Sequence, residues 1–258
     1  MPILGETGKV RGVRNETSLL QKAVLAAFGL PVLLMVFLPI CGLVESISPA
    51  TFFQNLNDSV TLEALKLSGI SSAISTGLVV LFGTPLALLI ARSGRCGFLR
   101  GLVNLSLFVP PAVAGLGLLM VFGGHLSLKA VVLAQFFVAA PYFIRAAAGS
   151  LGAVPAGMKE MVLLEGGSGF QIFTNVTLPF IWRGFVAGAA MAWARGLGEF
   201  GATLIFAGNL QGKTQTLPLA IFGNFAQAQQ QALAVALVLL VMALALGGVA
   251  LGVQKKRA

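Results

Sequence analysis

The sequence predicts an all-α membrane protein with six transmembrane helices, and three observations carry that expectation. Of the 258 residues, 57% are hydrophobic and only 10% are charged, where soluble domains run at about 45–50% and about 25%; mean hydropathy is +0.93. Six stretches stay almost free of charge for about 20 residues or more, the length a helix needs to cross a hydrocarbon core about 30 Å thick. When these stretches are threaded back and forth with both termini inside, 13 of the 17 Lys and Arg fall on the inner side, the asymmetry expected of cytoplasmic loops.

Residues 1–20 are polar, basic and contain glycine, so they bury too little apolar surface to order themselves and read as a cytoplasmic tail. The remainder, 21–258, reads as a single transmembrane domain. Span one covers residues 23–44, between Lys22 and Glu45. It exceeds the 7–15-residue core of a signal peptide, and no A-x-A cleavage pattern follows, so it is expected to be retained. The segment SISPATFFQNLNDSVTLEALKLS carries turn formers and then a mildly amphipathic stretch, expected to lie along the outer interface. Span two covers 67–91, span three 101–128, span four 130–150, span five 180–208 and span six 232–253.

This threading places Lys9, Arg11, Arg14, Lys22, Arg92, Arg95, Arg100, Arg145, Lys159, Arg183, Lys255, Lys256 and Arg257 inside, and only Lys66, Lys129 and Lys213 outside. The net charge of +9 and the pI near 10.3 are therefore a topology signal. The cations are split among short loops, with no basic stripe and interleaved aromatics, which argues against nucleic-acid binding. Cys41 and Cys96 fall on opposite faces, so neither a disulfide nor a metal site is expected. No internal repeat is visible, which excludes solenoids.

Pro31, Pro39, Pro85, Pro110, Pro111 and Pro141 fall within or at the ends of the spans. Each removes a backbone hydrogen bond that other groups must replace. Most read as ordinary kinks; Pro110-Pro111 followed by AVAGLGLLM is the best candidate for a broken helix lining a pathway. Spans four and five are joined by SLGAVPAGMKEMVLLEGGSGFQIFTNVTLP, which spans about residues 151–179. Met158, Met161, Val162 and Glu165 recur at helical spacing, GGSG breaks the pattern, and Phe170, Ile172, Phe173 and Val176 resume it. Two short helices at an angle fit this pattern, and their apolar groups call for another protein to cover them.

The run Glu160-Met161-Val162, then Gly166, then Val176, Leu178 and Pro179 resembles the EAA loop of ABC importer permeases, E-A-A-x3-G-x9-I-x-L-P, with matching spacing. Both alanines are replaced and Val stands for Ile. The resemblance implies a coupling helix docked on a cytoplasmic ATPase, with Gly166 allowing the turn and Ser168 and Phe170 in the same coupling segment. FVPPAVAGLGLLMVFG, LAQFFVAAPYFIRAA and ARGLGEFGATLIFAGNLQGKTQTLPLAIF are similar to the permease subunit of molybdate or tungstate ABC transporters, from about residue 65 to 222. Sulfate permeases share GEFGA but resemble the later segment less. GGHLSLKAVVLAQ is shorter than the usual connection between spans three and four.

The resemblance further implies a multi-pass protein of the cell membrane that is not itself an enzyme. Its expected partners are a second copy of the permease, two ATPase subunits and an extracytoplasmic molybdate- or tungstate-binding protein. ATP and Mg are used by the ATPase, and this chain is expected to bind no cofactor. The alternatives are a sulfate ABC permease and, in another class, an ion-coupled secondary transporter, which would need titratable carboxylates in the membrane. No His/Cys/Asp cluster, nucleophile motif or Walker sequence supports a membrane enzyme.

Within span five, ARGLGEFGAT places Arg195 and Glu199 four residues apart, with Thr203 in the same block. A charge at mid-membrane costs about 2.5–3.5 kcal/mol on insertion scales, so the two are expected to face the bundle interior and pair. Gly196, Gly198 and Gly201 would let a neighbouring helix approach. Two readings stay open: a structural ion pair that sets helix register, or a pathway for a tetrahedral oxyanion in which Arg195 supplies positive potential and Glu199 limits it. The lone His125 is expected near the outer interface, Trp182 and Tyr142 as interface or packing aromatics, and Lys213 in solvent.

Overall fold

The computed structural model describes residues 19–92 and 97–255. Most of the expected tail, together with Arg95, Cys96, Lys256 and Arg257, lies outside the described residues. The chain divides into two compact units, Met1–Ser46 and Ile47–Ala258. In the first, α1 (Leu19–Glu45) is one helix containing Pro31 and Pro39. Its apolar side chains, such as Phe28 and Met35, are exposed, as suits a surface solvated by lipid.

The second unit begins with α2 (Pro49–Leu56), α3 (Ser59–Arg92), α4 (Gly97–Ser106), α5 (Pro111–Phe122) and α6 (Leu128–Gly152). Next come α7 (Ala156–Leu164), α8 (Gly169–Gln171), a π-helical turn (Ile172–Thr177) and α9 (Leu178–Leu197). The unit ends with α10 (Gly201–Ala207), α11 (Leu217–Asn224) and α12 (Gln229–Lys255). Among the described residues five helices are long and apolar enough to cross a membrane, and the number is six when α4 and α5, bent by 105° to each other, are counted as one broken span. Expected spans one, two, four, five and six each coincide with such a helix, span three is broken where Pro110-Pro111 marked it, and span five is corrected. Span three is not one helix, because Pro110 and Pro111 leave no N–H to continue it. Span five ends at Leu197, and the rest of its apolar run forms the separate α10. The interfacial segment is also shorter than expected: Asp58 Oδ2 accepts from the Val60 and Thr61 N–H groups at 2.9 and 3.4 Å. This cap starts α3 eight residues before the expected beginning of span two, and only α2 remains as a separate short helix.

Helix α6 is the centre of the bundle, packed between α3 and α9, with Phe143, Ala139 and Ala147 fully buried. Its neighbours come close because they lack side chains at the crossings. A Cβ at Gly83 of α3 would lie 3.0 Å from the Phe143 ring, and one at Gly188 of α9 would lie 2.8 Å from the Ala146 Cβ. One turn before Gly188, a Cβ at Gly184 would overlap the Ser150 hydroxyl. Gly184-x3-Gly188 on α9 thus faces Ala146-x3-Ser150 on α6, the small-residue pattern by which membrane helices gain van der Waals contact.

Along α3 the buried face carries hydroxyls: Ser68, Ser72, Ser75 and Thr76 recur at helical spacing. Ser72 Oγ accepts from Trp193 Nε1 of α9 at 2.8 Å, and Ser68 Oγ accepts the Leu217 N–H at 2.7 Å. The second bond satisfies an N–H at the start of α11 that has no partner within that helix. Helix α12 packs on α9 through Ala187, Ala190 and Ala250.

Gly184→Ala is expected to destabilise the chain by about 1–3 kcal/mol through overpacking. Adding Ser150→Gly, which removes the obstructing side chain, should recover most of that loss. Thermal unfolding of the purified variants in detergent checks both, and independent, additive effects would exclude the crossing as the cause.

Candidate functional site

Two places combine the residues singled out by the sequence: the breaks in spans three and five, and the loop between α6 and α9. At the first break, Leu107 and Phe108 close a turn after α4 by donating to the Asn104 and Leu105 carbonyls. Pro110 then serves as N-cap of α5, with φ −57° and ψ 135°, and Pro111 opens the helix. Both prolines sit where a missing N–H leaves no gap in the helix ladder.

At the second break, α9 ends at Leu197, Gly198 is its C-cap, and the Glu199 N–H turns back to the Gly196 carbonyl at 3.1 Å. Arg195 Nη1 and Glu199 Oε2 are 2.8 Å apart. The other carboxylate oxygen, Oε1, accepts the Ala202 N–H at 2.9 Å. Glu199 is 1% exposed and the Arg195 side chain 28%. The two charges are therefore not stacked on one helix face as i, i+4 spacing alone would have it: the pair bridges a helix end. Arg195 lies in the last turn of α9, where the helix carbonyls favour a cation, and Glu199 precedes α10, whose free N–H groups favour an anion. Each charge sits at the helix pole that stabilises it.

The two breaks lie against each other. A Cβ at Gly201 would be 3.3 Å from the Ala112 nitrogen and 3.5 Å from the Pro111 Cβ. A Cβ at Gly115 would be 2.8 Å from the Ala202 Cα and 2.7 Å from its carbonyl oxygen. The first turns of α5 and α10 thus touch backbone to backbone, and Phe206, Ala202 and Ala207 of α10 share an apolar cluster with Ala130, Val131 and Ala134 of α6. Thr203 is fully buried there with its hydroxyl unpartnered among the described residues.

Sequence reasoning missed Gln135. It is fully buried on α6, its Cβ 3.8 Å from where a Gly196 Cβ would be, and neither amide atom has a hydrogen-bond partner among the described residues. A lone amide inside the apolar run LAQFF was the available signal. His125 lies in the loop after α5, exposed, with Nε2 3.0 Å from the Phe122 carbonyl. Among the described residues no group of three His, Cys, Asp or Glu could hold a metal ion.

The loop between α6 and α9 is built from local rules. Gly166 has φ 79°; its N–H donates to the Leu163 carbonyl at 3.0 Å, and the Gly167 N–H to that of Val162 at 2.8 Å. These two bonds close a Schellman motif, which needs glycine at the left-handed position. Ser168 then opens α8 with a capping box: its hydroxyl accepts the Gln171 N–H, and Gln171 Oε1 accepts the Ser168 N–H at 2.7 Å. The π-helical turn before Pro179 has a physical cause, because a proline there cannot donate to the carbonyl four residues back and its ring would collide with it in an α-helical turn.

This loop is seated on the bundle by one face. Val162 packs against the core cluster that contains Leu151, Val154 and Val176. The opposite face is apolar and uncovered: Leu164 is 87% exposed, Phe170 75% and Met161 62%. Glu160 is exposed beside them. The two residues that replace the motif's alanines therefore have different surroundings, Val162 inward and Met161 outward.

An all-helical bundle with long apolar helices and an exposed apolar loop between two of them is the architecture of a multi-pass membrane protein. Residues 80–256 match the family of binding-protein-dependent transport system inner membrane components. The molybdenum transport system permease protein ModB of Mycobacterium tuberculosis is 38% identical over 207 residues, covering 74% of this chain and 78% of that protein. The molybdate/tungstate transport system permease protein WtpB of Pyrococcus furiosus is 32% identical over 209 residues, covering 79% and 81%. The sulfate transport system permease protein CysW of Synechococcus elongatus is 31% identical over 263 residues, covering 94% and 90%. The fold is also that of a chain in the crystal structure of a bacterial alginate ABC transporter with its alginate-bound periplasmic protein, with a TM-score of 0.62, 17% identity and coverage of 88% and 92%. The chain belongs to the family of binding-protein-dependent transport system inner membrane components, and it is a multi-pass membrane protein.

Arg195→Ala would leave the Glu199 carboxylate buried without its counter-charge and is expected to lower stability by about 3 kcal/mol. Combining it with Glu199→Gln, whose amide oxygen still caps α10, should restore most of the loss. Thermal unfolding of the three variants checks this, and an unchanged unfolding temperature for Arg195→Ala would remove the pair from the account of stability.

Proposed function

We propose that this chain is the membrane-spanning subunit of an ABC importer for molybdate or tungstate. It would work as two copies with two ATPase subunits on the cytoplasmic side and a substrate-binding protein on the other. The observation that carries the reading is the uncovered apolar ridge of Met161, Leu164 and Phe170 on a loop fixed by the Gly166–Gly167 turn and the Ser168 capping box, in a chain of this family. Such a ridge is a liability in water and an asset under a protein partner. The oxyanion comes from the relatives named for molybdenum and tungstate; sulfate, the cargo named for one relative, is the runner-up.

The chain offers a direct mechanical route from that ridge to the broken spans. Helix α8, the π-helical turn and α9 follow one another without a gap from Gly169 to Leu197, and the 20 residues of α9 extend about 30 Å at 1.5 Å per residue. Movement of the loop by the ATPase would be delivered to the Arg195–Glu199 junction and, through the Gly115–Ala202 contact, to α5. ATP and Mg would be held and used by the partner ATPase, and transport would proceed by alternating access, in which ATP binding and hydrolysis bias two packings of the same helices. Arg195, one side of whose guanidinium is taken by Glu199, would present a softened positive potential to a passing dianion, weak enough to release it.

Leu164→Glu with Phe170→Glu leaves the turn, the capping box and the inward Val162 untouched. The double variant is expected to fold normally, to lose copurification of the ATPase, and to lower molybdate uptake into proteoliposomes by more than about tenfold, equivalent to about 1.4 kcal/mol of coupling. Uptake by the chain alone without ATP would point instead to an ion-coupled transporter. Preference of the partner binding protein for sulfate in calorimetry would reassign the cargo.

A further inference from the structure

At the end of the bundle that carries α7, two clefts lie side by side. The first, about 480 Å³, runs between α6 and α9, with Arg145, Phe180, Arg183 and Met191 in its walls. The second, about 330 Å³, is bounded by Arg100 and Asn104 of α4 and by Arg145 of α6. Arg145 and Gly149 belong to both. Arg100 and Arg145 are exposed and have no ion-pair partner among the described residues. Among the described residues no carboxylate lines either cleft.

We propose that these clefts bind the phosphate of an anionic phospholipid, with Arg145 as the clamp common to both. Arg145 precedes the end of α6 by seven residues, about 10 Å along the helix axis, a depth from which a long side chain reaches the headgroup layer. Trp182 is 43% exposed on the neighbouring α9, with the Arg183 guanidinium 5.4 Å from its ring centroid; tryptophan favours that same layer. Basic pockets between transmembrane helices are a known physical solution for anionic headgroups, and a guanidinium matches a phosphate with two parallel hydrogen bonds.

The walls decide between a lipid and a free oxyanion. Beyond the arginines the first cleft continues along Ala187, Gly188, Met191 and Phe180. This surface suits an acyl chain and offers nothing to an ion such as molybdate. The charged lining side chains among the described residues are all arginines, which favours a headgroup with net negative charge over one that also carries an ammonium. The site adjoins the Gly184–Ser150 crossing and the first turns of α9, and the inference does not depend on the identity of the cargo.

The test uses the full chain, with any ATPase that copurifies, in nanodiscs containing photoactivatable phosphatidylglycerol. Peptides from α6 around Arg145 and from α9 around Arg183 should be labelled, with labelling suppressed several-fold by unlabelled phosphatidylglycerol but not by phosphatidylcholine. Arg145→Gln should lower that labelling several-fold while peptides of α12 keep theirs; the wild-type competition stands even where the variant fails to fold. Labelling spread evenly over the spans, or equal competition by phosphatidylcholine, overturns the proposal. Competition by molybdate at concentrations that leave the bilayer unchanged would assign the clefts to a free oxyanion and overturn it as well.

Discussion

The structure depends on one constraint: backbone N–H and C=O groups inside a bilayer must find partners within the protein. An unbroken helix meets it automatically. This chain interrupts two of its spans, and each interruption is repaired by a different device. In span three the prolines contribute no N–H where none can be satisfied. In span five the Glu199 carboxylate takes up the Ala202 N–H, and its charge is met by Arg195. The ion pair is thus part of the backbone's own hydrogen-bonding solution as well as a contact between side chains. This also settles why a carboxylate is tolerated at 1% exposure: both oxygens are engaged, one by a cation and one by a helix N-terminus.

Glycine does the complementary work of bringing these repairs together. The contact of Gly115 with Ala202 leaves no room for a side chain, so α5 and α10 cannot slide independently without losing it. The α6–α9 crossing at Gly184 and Gly188 holds the other half of span five against the centre of the bundle. Between the two lies the α9–α10 junction, gripped from both sides, with the Cβ and backbone carbonyl of Gln135 against Gly196. Packed interfaces of this kind switch between discrete arrangements more readily than they deform, the property that the proposed transport mechanism requires.

The loop that follows α6 shows how a departure from a family pattern is absorbed. Larger residues in place of the two alanines would alter a docking helix if both faced the partner. Val162 instead enters the core cluster with Val154 and Val176, and only Met161 adds bulk to the outer face. The turn itself is conventional, since Gly166 and Gly167 are required by backbone angle and by space. The connection between α5 and α6 holds His125 against the end of α5.

What the sequence by itself determined follows from local physics. Charge-free runs set the spans, Pro110-Pro111 marked a break, the apolar period and GGSG drew two short helices around a turn, and four-residue spacing announced the pairing of Arg195 with Glu199. Each depends on hydropathy, on a missing N–H or on neighbours within a helical turn, so it can be read from a window of residues. Only the tertiary structure decided that span five stops between the two charges, that the two breaks meet, that Val162 points inward while Met161 points out, and that Gln135 is buried beside Gly196. These are set by contacts between residues such as Gly115 and Ala202 or Gly184 and Ser150, far apart in the chain, where the deciding quantity is the absence of a single Cβ.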